Sequence, residues 1–285
     1  MGLALRARAK LNLYLAVRAR RGDGYHEIDT LFHSLEMADG LTVEENADFA
    51  VTCEPAVSVG DGENLALSAA RELAEDAGVT AGIRIAVDKR IPVAAGLGGG
   101  SADAAGALVA ANELWGLRWP DARLATVGSA VGADVPFMIG GGAAIGRGRG
   151  DELEPVAPWP GLCILLALPK RPLSTAEVYA AVKPDAGGVL VEGAAAAVSA
   201  RSLPALAELM RNDLTEAAVS LAPEIAVALA AARQAGVPAL MSGSGPTVFA
   251  LTDDPERREA LARAWAAAGF ETAETESAPK GVTIE

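Results

Sequence analysis

Four glycines stand within Gly96–Gly100, at the centre of the run Pro92-Val-Ala-Ala-Gly-Leu-Gly-Gly-Gly-Ser-Ala-Asp-Ala104. Backbone without Cβ atoms can approach an anion closely. A helix starting directly behind such a loop adds about half a positive charge at that end. The alternative is a plain glycine connector. Lys10 and Asn12 lie two residues apart in an alternating segment, hence on one face, where they converge on one ligand unless Lys10 is simply solvated. Tyr25 and His26 follow the turn Gly22-Asp-Gly24, an aromatic beside one of only two histidines. That pair reads as a recognition point for a planar ring, or else as a packed Tyr and a satisfied His. His33 has no chemical neighbour in sequence and reads as structural. Asp134, among the small and apolar residues of Gly132-Ala-Asp-Val-Pro-Phe137, reads on its own as a helix cap.

Known phosphate loops divide the possibilities. No Gly-Lys pair occurs, so a Walker A loop is absent, and the dinucleotide fingerprint fails where Ser101 replaces its last glycine. Neither Ser101 nor Ser244 sits in a G-x-S-x-G elbow. What remains, P-x-x-x-G-L-G-G-G-S-A, resembles the second motif of the GHMP kinases, small-molecule ATP-dependent enzymes. Pro238-Ala-Leu-Met-Ser-Gly-Ser-Gly-Pro-Thr-Val-Phe-Ala-Leu251 resembles their third motif. Ala9-Lys-Leu-Asn-Leu-Tyr-Leu15 with Asp23-Gly-Tyr-His-Glu27 is similar to the amino-terminal signature of the branch that phosphorylates a diphosphocytidyl sugar alcohol, on the non-mevalonate route to isoprenoid precursors.

The resemblance covers nearly the whole chain and implies an α+β, two-domain GHMP kinase fold. A ribosomal-protein-fold-like half would span residues 1–157 and a ferredoxin-like half residues 158–285. It implies ATP on Pro92, Val93, Ala94 and Ala95, on Gly96, Leu97, Gly98, Gly99 and Gly100, and on Ser101 and Ala102. Asn64 and Leu65 would lie by the adenine, and Lys89 would line the nucleotide pocket or be solvated. Asp134 would accept the proton of the substrate 2-hydroxyl, with Lys10 orienting it and stabilising charge. Tyr25 and His26 would hold the cytosine, Tyr179 would supply a second aromatic, and Asn12 would stand by the substrate. Mg²⁺ is expected, with no protein ligand legible. A homoserine- or mevalonate-type enzyme and a catalytically silent nucleotide binder are the rival readings.

These residues need elements to hold them. Leu3–Val17 alternates and reads as a strand, as does Ile83–Val87. Ala104, Leu108, Ala111 and Trp115 recur at helical spacing, so a helix is expected from near Ser101. Asn64 caps an expected helix, Leu65 to Ala77, that Gly78 ends. Residues 41–59 suggest further strands, and Pro120–Ala130 a helix. Three prolines in Leu153–Pro160 mark the best linker, ahead of a buried strand at Leu162–Leu168. Ser174 or Thr175 caps the helix that carries Tyr179. Alanine-rich helices then run over 190–200, 203–210 and 223–235. A last helix covers 255–268, and the acidic tail to Glu285 is expected to be weakly structured.

Composition narrows the function class. With 24 basic and 37 acidic residues among 285, the net charge is −13, which argues against nucleic acid as a partner. Local amides and one or two lysines can still hold phosphates in an acidic protein. Two distant cysteines, Cys53 and Cys163, suit a reducing compartment better than a disulfide framework. No apolar stretch reaches the roughly 18 residues of a membrane span, and the first residues do not read as a leader. The expected setting is cytoplasmic, with ATP and a small molecule as partners and no membrane.

Overall fold

The computed structural model describes residues 2–57, 64–168, 171–183 and 190–285. Residues 58 and 59 of the strands expected over 41–59 lie outside that set. The chain opens on two long antiparallel strands, β1 (Leu3–Arg20) and β2 (His26–Asn46). Then come β3 (Ala50–Glu54), α1 (Leu65–Ala77) and β4 (Gly82–Asp88). The glycine run leads into α2 (Gly99–Leu114), and α3 (Asp121–Val131) and α4 (Val135–Gly140) follow. Strands β5 (Ala143–Arg147) and β6 (Glu152–Val156) add to the β2 side.

Beyond the prolines lie β7 (Cys163–Leu168), α5 (Thr175–Ala181), α6 (Val191–Ser199) and α7 (Leu203–Leu209). A two-residue strand, β8 (Arg211–Asn212), precedes α8 (Thr215–Leu221) and α9 (Glu224–Gln234). The hairpin of β9 (Ala239–Met241) and β10 (Val248–Leu251), helix α10 (Pro255–Ala267), and strands β11 (Glu271–Ala278) and β12 (Val282–Ile284) complete the chain.

One continuous path of strands runs β12-β1-β2-β11-β7-β10-β9. This corrects the expectation of a weakly structured tail. The alternation Thr272, Glu274, Glu276 against Ala273, Thr275, Ser277 is a strand pattern whose acidic positions hid it. The tail pairs β11 with both β7 and β2, and β12 with β1. Ala102, Ala105 and Leu108 of α2 pack with α1 residues Ala69, Ala70 and Leu73 and with the β1–β2 face. Small side chains allow that close approach, so α2 is buried along nearly all its length. Its start is fixed where the glycine loop leaves the sheet, two residues earlier than the spacing suggests.

Candidate active site

Strand β1 presents Lys10 and Asn12 into a cleft. Register shifts at Arg8/Lys10 and at Asn12/Tyr14 bracket them, local bulges of the kind that re-aim side chains. Lys10 is not solvated: it is 4% exposed, and its ammonium donates to Asn12 Oδ1 at 2.7 Å. Asn12 in turn donates to Thr30 Oγ1 at 2.8 Å, and Thr30 to the Tyr14 carbonyl at 2.7 Å. Burying an ammonium is costly unless it is paired. The remaining partner is Asp134, whose Oδ2 lies 3.3 Å from Lys10 Nζ. Asp134 stands at the start of α4 but makes no side-chain cap bond, which overturns the cap reading. Its carboxylate is about one-third exposed and faces the cavity.

The glycine loop closes over the same lysine. Lys10 N–H donates to the Leu97 carbonyl at 3.0 Å, tying β1 to the loop. Gly98 is left-handed at φ +73°, and a Cβ there would run into Met138 and sit 3.2 Å from Lys10 Cε. Gly96, at φ +77°, touches the backbone of the third-motif turn, where a Cβ would strike the Ser242 carbonyl. Ser242 Oγ donates to the Gly96 carbonyl at 2.9 Å, and Asn212 Nδ2 donates to the Met241 and Gly243 carbonyls at 2.7 and 2.8 Å. The third motif is thus a backbone buttress for the second.

A cavity of about 1510 Å³ runs along this surface. Its lining includes Asn64, Leu65, Lys89, Pro92 and Val93, of which Leu65 and Lys89 adjoin the loop glycines, and an aromatic group of Tyr25, His26 and Tyr179. Asn64 does cap α1, accepting from Ala66 N–H at 2.9 Å, and its amide reaches Cys53 Sγ at 3.6 Å. Lys89 lines the cavity without being solvated, since its ammonium is engaged by Asp39 and Asp103. Ala94, Ala95, Gly96, Gly98, Gly99, Gly100 and Ser101 also line the cavity. Two of the expected nucleotide residues do not: Leu97 and Ala102 are fully buried beneath the loop. The Ala102 N–H is already spent on the Gly98 carbonyl.

In the aromatic group Tyr25 is 53% exposed, projecting from its turn, where its N–H donates to Asp23 Oδ1 at 3.1 Å. The rings of His26 and Tyr179 stack with centroids 5.5 Å apart. Burial and the nearby Arg20 hold the His26 pKa below the ordinary imidazole value. Burial, with the Asp134 carboxylate adding, raises that of the Tyr179 hydroxyl. Sequence reasoning missed Arg149, whose guanidinium lies 5.0 Å from the Tyr25 ring centroid and is held by Asp151 at 2.6 Å. It also missed Asp39, Asp103, Thr175 and Ser244. The Gly-Arg-Gly-Arg-Gly turn around Arg149 was the one available signal. His33 is structural as read: Nδ1 meets the Ser34 carbonyl at 3.0 Å, and Nε2 accepts from Trp159 N–H at 3.0 Å. Among the described residues, no group of three or more His, Cys, Asp or Glu gathers as a metal site, and no helix is long and apolar enough to cross a membrane.

Known proteins resemble the chain over most of its length. Residues 64–142 match the GHMP kinases N terminal domain, and residues 194–271 match the GHMP kinases C terminal family. A relative from Kineococcus radiotolerans, named 4-diphosphocytidyl-2-C-methyl-D-erythritol kinase, is 42% identical over 271 residues, covering 90% of this chain and 83% of its own length. A crystal structure of 4-(cytidine 5'-diphospho)-2C-methyl-D-erythritol kinase superposes with a TM-score of 0.78 at 36% identity, covering 97% of this chain and 99% of that one. A homoserine kinase structure from Cytophaga hutchinsonii superposes at TM-score 0.77 but only 18% identity, with 100% and 97% coverage, a likeness of fold alone. The chain therefore belongs to the GHMP kinases, ATP-dependent small-molecule phosphotransferases, and within them to the 4-diphosphocytidyl-2-C-methyl-D-erythritol kinase family.

Proposed function

We propose that the chain transfers the γ-phosphoryl group of ATP to the 2-hydroxyl of 4-diphosphocytidyl-2-C-methyl-D-erythritol. The observation that carries the proposal is the Lys10–Asp134 pair at 3.3 Å, in one cavity lined by a glycine cradle and an aromatic group. Phosphoryl transfer asks the protein mainly for positioning and charge neutralisation. Asp134 Oδ2 takes the proton of the acceptor hydroxyl, and Lys10 orients that carboxylate and offsets charge on the moving phosphoryl group. Asn12 holds Lys10 in place from the other side. Backbone amides of Gly98–Ser101 receive the phosphates, and Gly98 itself is required by its left-handed backbone and by Met138 and Lys10, which a Cβ there would crowd. Asn64, Leu65 and Val93 flank the adenine. Mg²⁺ bound to the nucleotide would supply neutralisation of phosphate charge, and no residue of the chain is assigned as its ligand.

Tyr25, His26 and Tyr179 receive the cytosine, and Arg149 backs the Tyr25 ring. The division into halves near residue 157 and a cytoplasmic setting, where the two free cysteines stay reduced, belong to the same proposal. Homoserine- and mevalonate-type enzymes share the fold, but the exposed Tyr25 ring gives those small acceptors nothing to meet. A coupled ADP-release assay with the cytidyl sugar alcohol, its uridyl analogue, homoserine and mevalonate tests the reading. Turnover confined to the cytidyl acceptor is expected. Equal kcat/KM for cytidyl and uridyl forms, or turnover of homoserine or mevalonate instead, would overturn it.

A further inference from the structure

The steps above leave one group of buried charges without a task. Lys89, just after β4, donates from Nζ to Asp39 Oδ2 at 2.5 Å and to Asp103 Oδ2 at 2.8 Å. Asp39 belongs to β2, and its other oxygen accepts from the Arg90 and Ile91 N–H groups at 2.6 and 2.8 Å. Asp103 belongs to the first turns of α2, is 4% exposed, and its Oδ1 is buried with no hydrogen-bond partner. One carboxylate thus fixes the chain as it leaves β4, the other fixes the helix behind the glycine loop, and the ammonium joins them. That ammonium lies 3.3 Å from where a Cβ on Gly99 would stand, on the underside of the loop.

We propose that Asp39 and Asp103 are positioning residues for the nucleotide: acting through Lys89 they hold the first turn of α2, and the charge on Asp103 sets how strongly the loop attracts the ATP phosphates. The inference rests on the reading of the loop as the ATP site. With both carboxylates ionised the cluster carries one net negative charge directly beneath an anion site, and a proton on Asp103 removes it. Burial, with Asp39 adding and Lys89 opposing, pushes the Asp103 carboxyl up to about 7. The groups that face it are Lys89, Asp39 on β2 and the Cys53 thiol on β3, itself raised by burial and by Asp103. Lys10 on β1 lies on the other flank of the loop, beside Gly98. The faces that α1, α3 and α4 turn inward are uncharged.

The sign follows. Below the transition the cluster is neutral and ATP binds well; as pH rises through it, the added negative charge weakens binding. Titration calorimetry of the full chain with ATP, from pH 6 to 8.5, reads this directly. The wild-type Kd should rise about fivefold beyond the change seen in Asp103→Asn, the low end of coupling between linked sites. The titration of ATP itself is common to both proteins and cancels in the comparison. Asp103→Asn keeps an acceptor for Lys89, so its KM for ATP should stay near the low-pH wild-type value. Asp103→Leu lacks the acceptor and should raise that KM about tenfold, with a smaller change in kcat at saturating ATP and in the acceptor KM. Identical pH slopes in wild type and Asp103→Asn would overturn the proposal, even if Asp103→Leu failed to fold. Gly100→Val separates the two failures. If it weakens ATP binding while the Asp103 variants change nothing, only the clamp is wrong; if it too leaves ATP affinity unchanged, the loop is not the ATP site.

Discussion

Lys10 and Asp134 are 124 positions apart in the chain by their numbers, yet one ion pair joins them. The types were legible, because an alternating strand must place Lys10 and Asn12 on one face. Their burial was not, since nothing local says that α4 and the third-motif turn will cover that face. Asp39 was illegible for the same reason, being defined by Lys89 from a distant segment, and the glycine-flanked turn that marks Arg149 does not say that its guanidinium meets the Tyr25 ring. Removing the Asp134 charge while keeping its shape should leave the fold intact. Asp134→Asn is expected to lower kcat about 10²–10⁴-fold, the usual worth of general-base assistance. Pre-steady-state kinetics retaining more than about a third of the wild-type chemical rate would remove Asp134 from the mechanism on that scale. For the aromatic group, stacking on a base is worth about 1–3 kcal/mol, so Tyr25→Ala should raise KM for the cytidyl acceptor about tenfold. KM for ATP should hardly move, and a parallel rise in both constants would place Tyr25 outside a dedicated base pocket.

The glycine loop shows why element-level reading succeeded in kind and slipped in detail. Strand, glycines and helix are local patterns, so their order was legible. Which glycine tolerates a side chain depends on what α4 and the β9–β10 turn bring against it. From sequence, a valine at Gly98 reads as a clean block of ATP binding with stability kept. The left-handed backbone there and the Met138 methyl corrected that, since the same change strains the loop itself. Gly100 is the better probe: it is exposed, lies within α2, and a Cβ there meets only the flexible end of Leu65 at 3.3 Å. Gly100→Val should therefore keep Tm within about 2–4 °C, the shift of roughly 1 kcal/mol in a domain of about 150–250 residues. It should raise KM for ATP about tenfold or more, as expected when an oriented anion contact of 1.5–3 kcal/mol is lost. A thermal shift alone, with ATP affinity unchanged, would make the loop a connector.

At the scale of the molecule, the two halves are joined less by the proline-rich segment than by what grips it. Trp159 lies in that segment; its N–H donates to His33 Nε2 on β2, and Ser277 Oγ on β11 donates to its carbonyl. Ser277 also accepts from the Leu162 N–H at 2.9 Å as β7 begins. A sequence reading sees the prolines and infers a linker without its anchors, because the gripping residues come from positions 33 and 277. His33 makes this junction sensitive to acid. It is 1% exposed, and burial, only partly offset by its bond to the Ser34 carbonyl, holds its pKa below the ordinary 6.5. A base with a depressed folded pKa contributes stability that is present above 6.5 and is lost as pH falls through the folded value. Protonation would set an Nε2–H against the Trp159 N–H, donor against donor. Asp103 acts in the opposite sense, because its raised carboxyl contributes stability that is lost as pH rises through about 7. The two effects must be separated by variants rather than read from one pH curve. His33→Phe removes the acceptor for Trp159 at every pH and should cost about 1–3 kcal/mol at pH 8, the usual penalty for a buried donor left unpaired. Denaturant unfolding should also show that the variant loses less further stability than wild type between pH 7 and 5, since its remaining titrations are shared. Parallel curves for the two proteins over that range would mean that His33 takes up its proton equally in the folded and unfolded chains, and that the junction is not an acid-sensitive joint.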